Sequence, residues 1–480
     1  MTSLEDLLQK AIAEASSMGA TYVEARYHKN DYFTLRARNG NLIDSSREVE
    51  EGVGVRVLVD GSLGFASTST LSNEGILEAV RRAVATAKRL SGLMKSPLRL
   101  GPGRTGRVKY EVPVVKSFEN TPLDEKIGLF RELWSRGREV VKEASLKVMF
   151  NEYVESIEEK VILTSEGAYV RSTIPRLYFG YNMVISHPQK GVVQRWREFG
   201  GSGGFELVEK WRVVGTIVEE AGTLARVLLE ARAPPSEPVE VLVGSEIVGL
   251  MAHESAGHPS EADRILGREA AQAGMSFIKK GMRGFKVGNE NATVVDDPTI
   301  PGSYGFFLYD DEGVSARPKY LYREGEVYEH LHNRFTAAEY NTESNGSARA
   351  MNYASEPIIR MSNTYVTPGD YTFEELIEDI EYGVYIKSYM EWNIDDERWS
   401  QRYVGLEAYL IEKGELKGFV RNPVLELTTK TFYSSIVAKS KDLRFYAGTC
   451  GKGEPSQGVP VWFGGPDVKL SKIRLGVAPG

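Results

Sequence analysis

A single cysteine, Cys450, stands in the 480 residues of the chain. That excludes an internal disulfide, and a reducing cytoplasm is the expected compartment. No segment reaches the roughly 18 uninterrupted apolar residues of a membrane-spanning helix. The opening, Met1-Thr2-Ser3-Leu4-Glu5-Asp6, lacks the basic-then-apolar plan of a signal peptide. Positive charge is short as well: 59 Lys and Arg stand against 66 Asp and Glu, a net charge of -7. A nucleic-acid partner would want a basic face, so none is expected. What is present, 41% hydrophobic and 26% charged residues, is ordinary for a globular protein. The length is too great for one core and implies two or three domains.

Leu4, Leu7, Leu8, Ala11, Ile12 and Ala15 share one helical face, capped by Ser3 and Asp6. Asn39-Gly40 and Asp60-Gly61 sit between strand-like runs and predict two hairpins. Helices are expected around Ile76–Ala87, Leu123–Ala144 and Glu206–Ala231, with strands to about Phe199 and a flexible loop at Gly200–Gly204. Gly101-Pro102-Gly103-Arg104-Thr105-Gly106 fits G-x-G-x-x-G. It follows a helix and leads into a strand, the reverse of the dinucleotide fingerprint, and reads as a linker. Ala233-Pro234-Pro235-Ser236-Glu237-Pro238 breaks the chain. The expected division is therefore 1–232, a linker at 233–238, and 239–480. The fold class is α+β: a mixed helix and antiparallel-sheet N-terminal domain, then a β-dominated C-terminal domain. Runs such as Ala292–Val295, Val424–Thr431 and Ser434–Ala438 read as strands there, with one longer helix at Thr372–Gly383.

The densest chemistry is His253-Glu254-Ser255-Ala256-Gly257-His258, after the apolar run Ile247–Met251. Metallopeptidase helices set His-Glu-x-x-His one turn apart so that both imidazoles reach one ion. Here one residue is added, and a regular α-helix would turn the two rings about 140° apart. Both bind one ion only where the helix ends or widens into an i→i+5 turn, which Gly257 and Pro259 permit. Glu254 beside the first ligand is placed as a general base. The third ligand stays open on spacing alone. Glu261 and Asp263 are near, as ligands or as groups that orient the imidazoles. Cys450 lies in a glycine-dense loop, and His330 and His332 alternate as on one strand face, solvated unless they turn to the metal. His28 and His187 are expected at the surface.

These residues resemble the TldD/PmbA family of metal-dependent peptidases, also described as modulators of DNA gyrase. The resemblance runs through Ala37–Asp44, Gly52–Thr68, His253–Asp263, Asp310–Gly313, Arg360–Tyr365 and Gly448–Lys452. It implies one zinc ion per chain held by His253, His258 and Cys450, with Glu254 as catalytic base. It also implies proteolysis of short or unstructured peptides, including leader-peptide trimming. The family pairs a subunit that carries HExxxH with a TldE (PmbA) subunit that lacks it, and this chain resembles the former. A TldE-type partner or a homodimer is therefore expected. Arg360, Asn363 and Tyr365, read as a loop before Pro368, are expected to grip substrate. The rival expectation is a non-catalytic assembly subunit with a structural metal.

Overall fold

The computed structural model describes residues 3–268, 274–453 and 456–478. α1 (Leu4–Ser17) begins at Ser3, whose hydroxyl accepts from the Asp6 N–H while the Asp6 carboxylate accepts from the Ser3 N–H. β1 (Tyr22–Arg38), β2 (Asn41–Val59) and β3 (Ser62–Thr68) follow as a meander, and α2 (Asn73–Ser91) crosses back over it. Asn39-Gly40 and Asp60-Gly61 make the turns, with φ of 53° and 76°, and 50° and 71°. Two consecutive left-handed residues are what a two-residue hairpin needs to match the strand twist. β4 (Arg107–Glu111), α3 (Leu123–Val140), β5 (Ser145–Thr164), β6 (Tyr169–His187) and β7 (Gly191–Ser202) complete a seven-stranded sheet. Its order is β3-β2-β1-β5-β6-β4, with β7 also on β6; only β4 and β6 run parallel.

The alternation of β1 explains how this sheet is used. Val23, Ala25 and Tyr27 pack under α1 and α2 with Leu8, Ile76 and Val80. The intervening Glu24, Arg26, His28 and Asn30 are polar, yet all are buried, because the C-terminal half covers that face. Arg56 there pairs with both Glu24 (2.7 Å) and Glu312 (2.6 Å), and Arg26 donates to the Asn352 and Ser355 carbonyls. His28 is accordingly not at the surface: it is 1% exposed, with Nε2 3.3 Å from Glu158.

Other local expectations are also revised. Gly200 and Gly201 are not a flexible loop but the end of β7, paired with Tyr178 and Leu177. A Cβ at Gly200 would stand 2.9 Å from Ala447 and from the Tyr304 ring, so glycine here serves close packing. The long helix from Glu206 is two, α4 (Glu206–Lys210) and α5 (Val213–Glu230), interrupted by Arg212 at φ 48°. Trp211 at the break stacks on Phe199, ring centres 5.9 Å apart. The G-x-G-x-x-G stretch bridges to Val314 and Ser344 as a strap between α2 and β4.

Residues 233–238 lie between α5 and β8 (Val239–Val243), and α6 (Ser245–Ala252) follows at once. The strand-rich remainder contains β9 (Val294–Asp296), β10 (Lys319–Arg323), β11 (Asn363–Val366), β12 (Tyr382–Ile386), β13 (Arg444–Lys452), β14 (Gln457–Gly465) and β15 (Val468–Ile473). One six-stranded sheet has β12-β8-β15 at its centre; another begins with the short strand Glu326–Val327 and runs on through β10-β9-β11-β14-β13, with β13 at its edge. The fold is α+β. The expected helix at Thr372–Gly383 is helical only over Phe373–Ile377, because Gly383 already pairs with Glu240 of β8. Likewise Val424–Thr431 ends as a strand at Thr428, which caps a short helix, Thr429–Ser434, before the strand Ile436–Lys439.

α6 packs on β14 with all eight residues buried, Ser245 and Glu246 being its polar ones, and Glu246 pairs with Arg195 at 2.9 Å. Gly249 sets its depth: a Cβ there would meet the Gly464 backbone at 2.6 Å. Gly249→Ala is therefore expected to lower stability by about 1–3 kcal/mol through overpacking. Gly418→Ala, where no atom lies within 4 Å, serves as the control. Denaturant unfolding that finds the two variants equally stable would show that α6 has room to shift.

Candidate metal centre

After Ala252 the helix widens. His253–Gly257 is a π-turn, in which the His258 N–H donates to His253 O, and a 3₁₀ turn, His258–Ser260, closes it. Local chemistry accounts for this. Pro259 has no N–H to offer the Ser255 carbonyl four residues back, and the Tyr322 hydroxyl donates to that carbonyl instead, at 2.5 Å. Gly257 lies where a Cβ would strike the Met361 sulfur. The added residue is thus absorbed, and the two imidazoles come to one side with ring centres 5.0 Å apart.

Cys450 reaches the same point from the edge strand β13, its Sγ 3.6 Å from His258 Nε2. The ligand atoms of His253, His258 and Cys450 all lie within 4.8 Å of one another. The donor set fits a zinc ion. His253 Nδ1 is buried without a hydrogen-bond partner, and burial pushes both imidazoles toward the neutral form. Burial alone would raise the Cys450 thiol, but the facing His258 and Arg360 outweigh it and hold it below the usual thiol range. Neutral imidazoles and an easily ionised thiol are the forms that bind metal.

Glu261 and Asp263 stand behind this triad. Glu261 Oε2 lies 3.0 Å from His258 Nδ1. Burial favours its neutral form, but Lys452, Arg264 and His258 more than offset that and hold its carboxyl well below the usual range. A carboxylate only accepts, so Nδ1 carries the hydrogen and Nε2 presents its lone pair toward Cys450. Asp263 takes the Lys452 ammonium at 2.7 Å, and Lys452 also donates to Ile359 O. The Gly-Thr-Cys-Gly-Lys strand is thereby tied to the histidine motif at its end.

Glu254 points the other way, into a cleft of about 470 Å³. Trp196, Arg197 and Glu198 of β7 form one wall and Tyr446–Gly451 of β13 the other. Arg398, held at φ 67°, ion-pairs with Glu254. Its loop is fixed by Asp395, which accepts from the Trp399 and Ser400 N–H groups, each at 2.8 Å. No spacing in the sequence marks Arg398 or the β7 residues; only the fold brings them here.

Arg360, Asn363 and Tyr365 do not line the cleft. Asn363 and Tyr365 belong to β11 rather than to a loop. Arg360 is fully buried and donates to the Cys450 and Gln457 carbonyls, fixing the hairpin that presents the cysteine. Asn363 donates to Asp297 O and Ser303 Oγ, and the Tyr365 ring packs on Phe445. His330 and His332 are not on a solvated strand face: both are buried around Tyr340, ring centres 5.5 and 5.0 Å away. They lie outside the metal-ligand grouping.

HExxxH on a widened helix with Cys450 beside it is the donor arrangement expected of a metallopeptidase-type centre. Three domains of one family match in succession: PmbA/TldA metallopeptidase domain 1 over residues 23–87, the central domain over 116–229, and the C-terminal domain over 236–477. The chain belongs to the PmbA/TldD family. A metalloprotease of Methanothermobacter thermautotrophicus is 30% identical over 95% of both chains. One of Methanocaldococcus jannaschii is 29% identical over 93% of this chain and 95% of the other. A zinc metalloprotease TldD homologue of Saccharolobus solfataricus is 24% identical over 97% and 99%. The fold is shared with TldE of Thermococcus kodakarensis, at a TM-score of 0.74 and 18% identity over 98% of this chain and all of that one.

Because Glu261 fixes the His258 tautomer, Glu261→Gln is expected to weaken metal binding about 10–100-fold with all three ligands intact. Competition against a chelator measures this, and wild-type affinity in the variant would remove Glu261 from that role.

Proposed function

We propose that the chain is a zinc-dependent peptidase acting on short or unstructured peptides, with one zinc per chain and Glu254 as its general base. The observation that carries this reading is the shared location of the ligand triad and Glu254 in the wall of one open cleft. Zinc with three protein ligands keeps an open position, where it polarises a carbonyl and makes water more acidic. Glu254 takes a proton from water as it attacks the scissile carbonyl and later delivers it to the departing amine. Arg398 holds that carboxylate in place. A structural zinc is normally closed by four protein ligands, and three donors gather here among the described residues, which favours catalysis over the assembly-subunit reading.

The cleft also suggests how peptide is held. Among the described residues β13 has β14 and β7 has β6 as its strand partner, so each has an edge without a second strand beside the cleft. An extended peptide adds to such an edge through its main chain, with loose sequence preference, while a folded protein is excluded. Degradation of peptides and trimming of leader segments fit that selectivity. Trp196, Trp392 and Met390 at the cleft are 64%, 38% and 38% exposed, and a TldE-type partner or a second copy would cover them. The acidic balance speaks against nucleic acid, no helix of the described residues is long and apolar enough to cross a membrane, and we place the protein in the cytoplasm.

Elemental analysis of wild type and Cys450→Ser, with peptide cleavage by Glu254→Ala, tests the reading. About one zinc per wild-type chain is expected, much reduced in Cys450→Ser. Glu254→Ala should retain its zinc and lose about 100-fold or more in turnover. Wild-type cleavage by Glu254→Ala would refute the base assignment. Absence of metal from reconstituted, reduced wild type would refute the peptidase.

A further inference from the structure

A second cavity, of about 200 Å³, adjoins the metal cleft, with Thr449 bordering both. It lies between the seven-stranded sheet and the C-terminal half. Tyr32, Ser156 and Ser172 line it from the sheet, and Phe307 and Arg349 from the other side. Most charge in its walls cancels. Glu158 pairs with Lys160 and Arg176, each at 2.5 Å. Asp311 pairs with Lys160 at 2.9 Å and with Arg26 at 3.9 Å. Asp310 accepts from the Glu312, Val314 and Ala348 N–H groups, and burial together with Glu312 pushes its carboxyl well above the usual range.

Arg349 is the exception. It is 6% exposed, Nη1 donates to Met361 O at 2.7 Å, and the guanidinium lies over the Phe307 ring at 5.3 Å. No carboxylate among the described residues stands within ion-pair reach of it. Burial, then the neighbouring Arg176 and Arg360, lower its pKa to about 10, so it remains a cation at neutral pH. Glu158 and Asp311 act on it only from beyond contact distance and do not offset its burial, and an anion in the adjoining space would.

We infer that this cavity binds a small carboxylate, held by the guanidinium fork of Arg349 with the wall hydroxyls as further donors. The ligand class follows from the donor. One planar guanidinium matches a single carboxylate, whereas a phosphate dianion would be repelled more strongly by Glu158 and Asp311 in the same walls. The carboxylate is either a free acid or the C-terminus of a peptide that passes Thr449 from the cleft. Only the peptide source rests on the peptidase reading.

Calorimetric titration of acetate into the full chain tests the site. Arg349→Gln should weaken binding about tenfold or more, the loss of a charge-assisted pair of hydrogen bonds, with zinc content unchanged. Ser156→Leu, which fills the cavity from the sheet and leaves Arg349 in place, should do the same if Arg349→Gln fails to fold. Acetate that binds the wild type and both variants equally, or does not bind at all, overturns the site. A peptide and its C-terminal amide, titrated in the Glu254→Ala background, identify the source. Preference for the free acid that vanishes with Arg349→Gln assigns the peptide terminus; equal binding with acetate affinity retained assigns a free acid. Acetate binding that persists in a chain with no peptidase activity separates the two readings.

Discussion

The hydrogen bond from the His258 N–H to His253 O, one residue longer than an α-helical bond, is the constraint on which the metal centre depends. Without it the imidazoles diverge and Cys450 has only one histidine to meet. Three neighbours make that bond favourable. Tyr322 satisfies the Ser255 carbonyl that Pro259 leaves open, Met361 packs where only glycine at 257 fits, and Gly249 lets α6 lie directly on Gly464. Every residue of α6 has little solvent exposure, and the core behind it fixes the direction in which the rings point.

The cleft, by contrast, depends on both halves of the chain. The candidate ligands and Glu254 come from the C-terminal half, while Trp196, Arg197 and Glu198 come from the N-terminal sheet. What holds the halves in register is a polar seam, with Arg56 between Glu24 and Glu312 and Lys160 against Asp311. Buried ion pairs of this kind add little net stability, since desolvation opposes them, but they are directional. A slip of one residue would leave charges unpaired in the interior. The edge of β7 is therefore set opposite the edge of β13 by these directional pairs together with the close packing of Gly200 on Ala447 and Tyr304.

That distinction explains what the sequence made legible. The hairpins, the Ser3 cap and the histidine motif each rest on local chemistry within a few residues, and each was readable. Glu24, Arg26, His28 and Asn30 alternate with apolar neighbours and so resemble a solvated face; only the C-terminal half reveals that the face is covered. Gly200 and Gly201 look like a loop until Tyr304 and Ala447 are seen against them. The break at Arg212 follows from Trp211 stacking on a residue of another strand. Arg360 reads as a substrate grip, but its partner, the Cys450 carbonyl, is ninety positions away. In each case a distant contact overrode the local pattern.

The two motif glutamates show how position divides similar groups between different work. Glu261 is fully buried, with Lys452, Arg264 and His258 around it; it stays ionised and turned from the cleft, suited to orienting an imidazole and unsuited to moving protons. Glu254 is also buried, but it lines the cleft and is held chiefly by one cation, Arg398, whose loop is anchored separately by Asp395. It therefore faces the cleft with its carboxyl group, paired to Arg398. The same residue type seven positions apart is fixed as a support on one side of the triad and left facing the cleft on the other. The widened turn lies between them, so the geometry that unites the histidines also separates the glutamates.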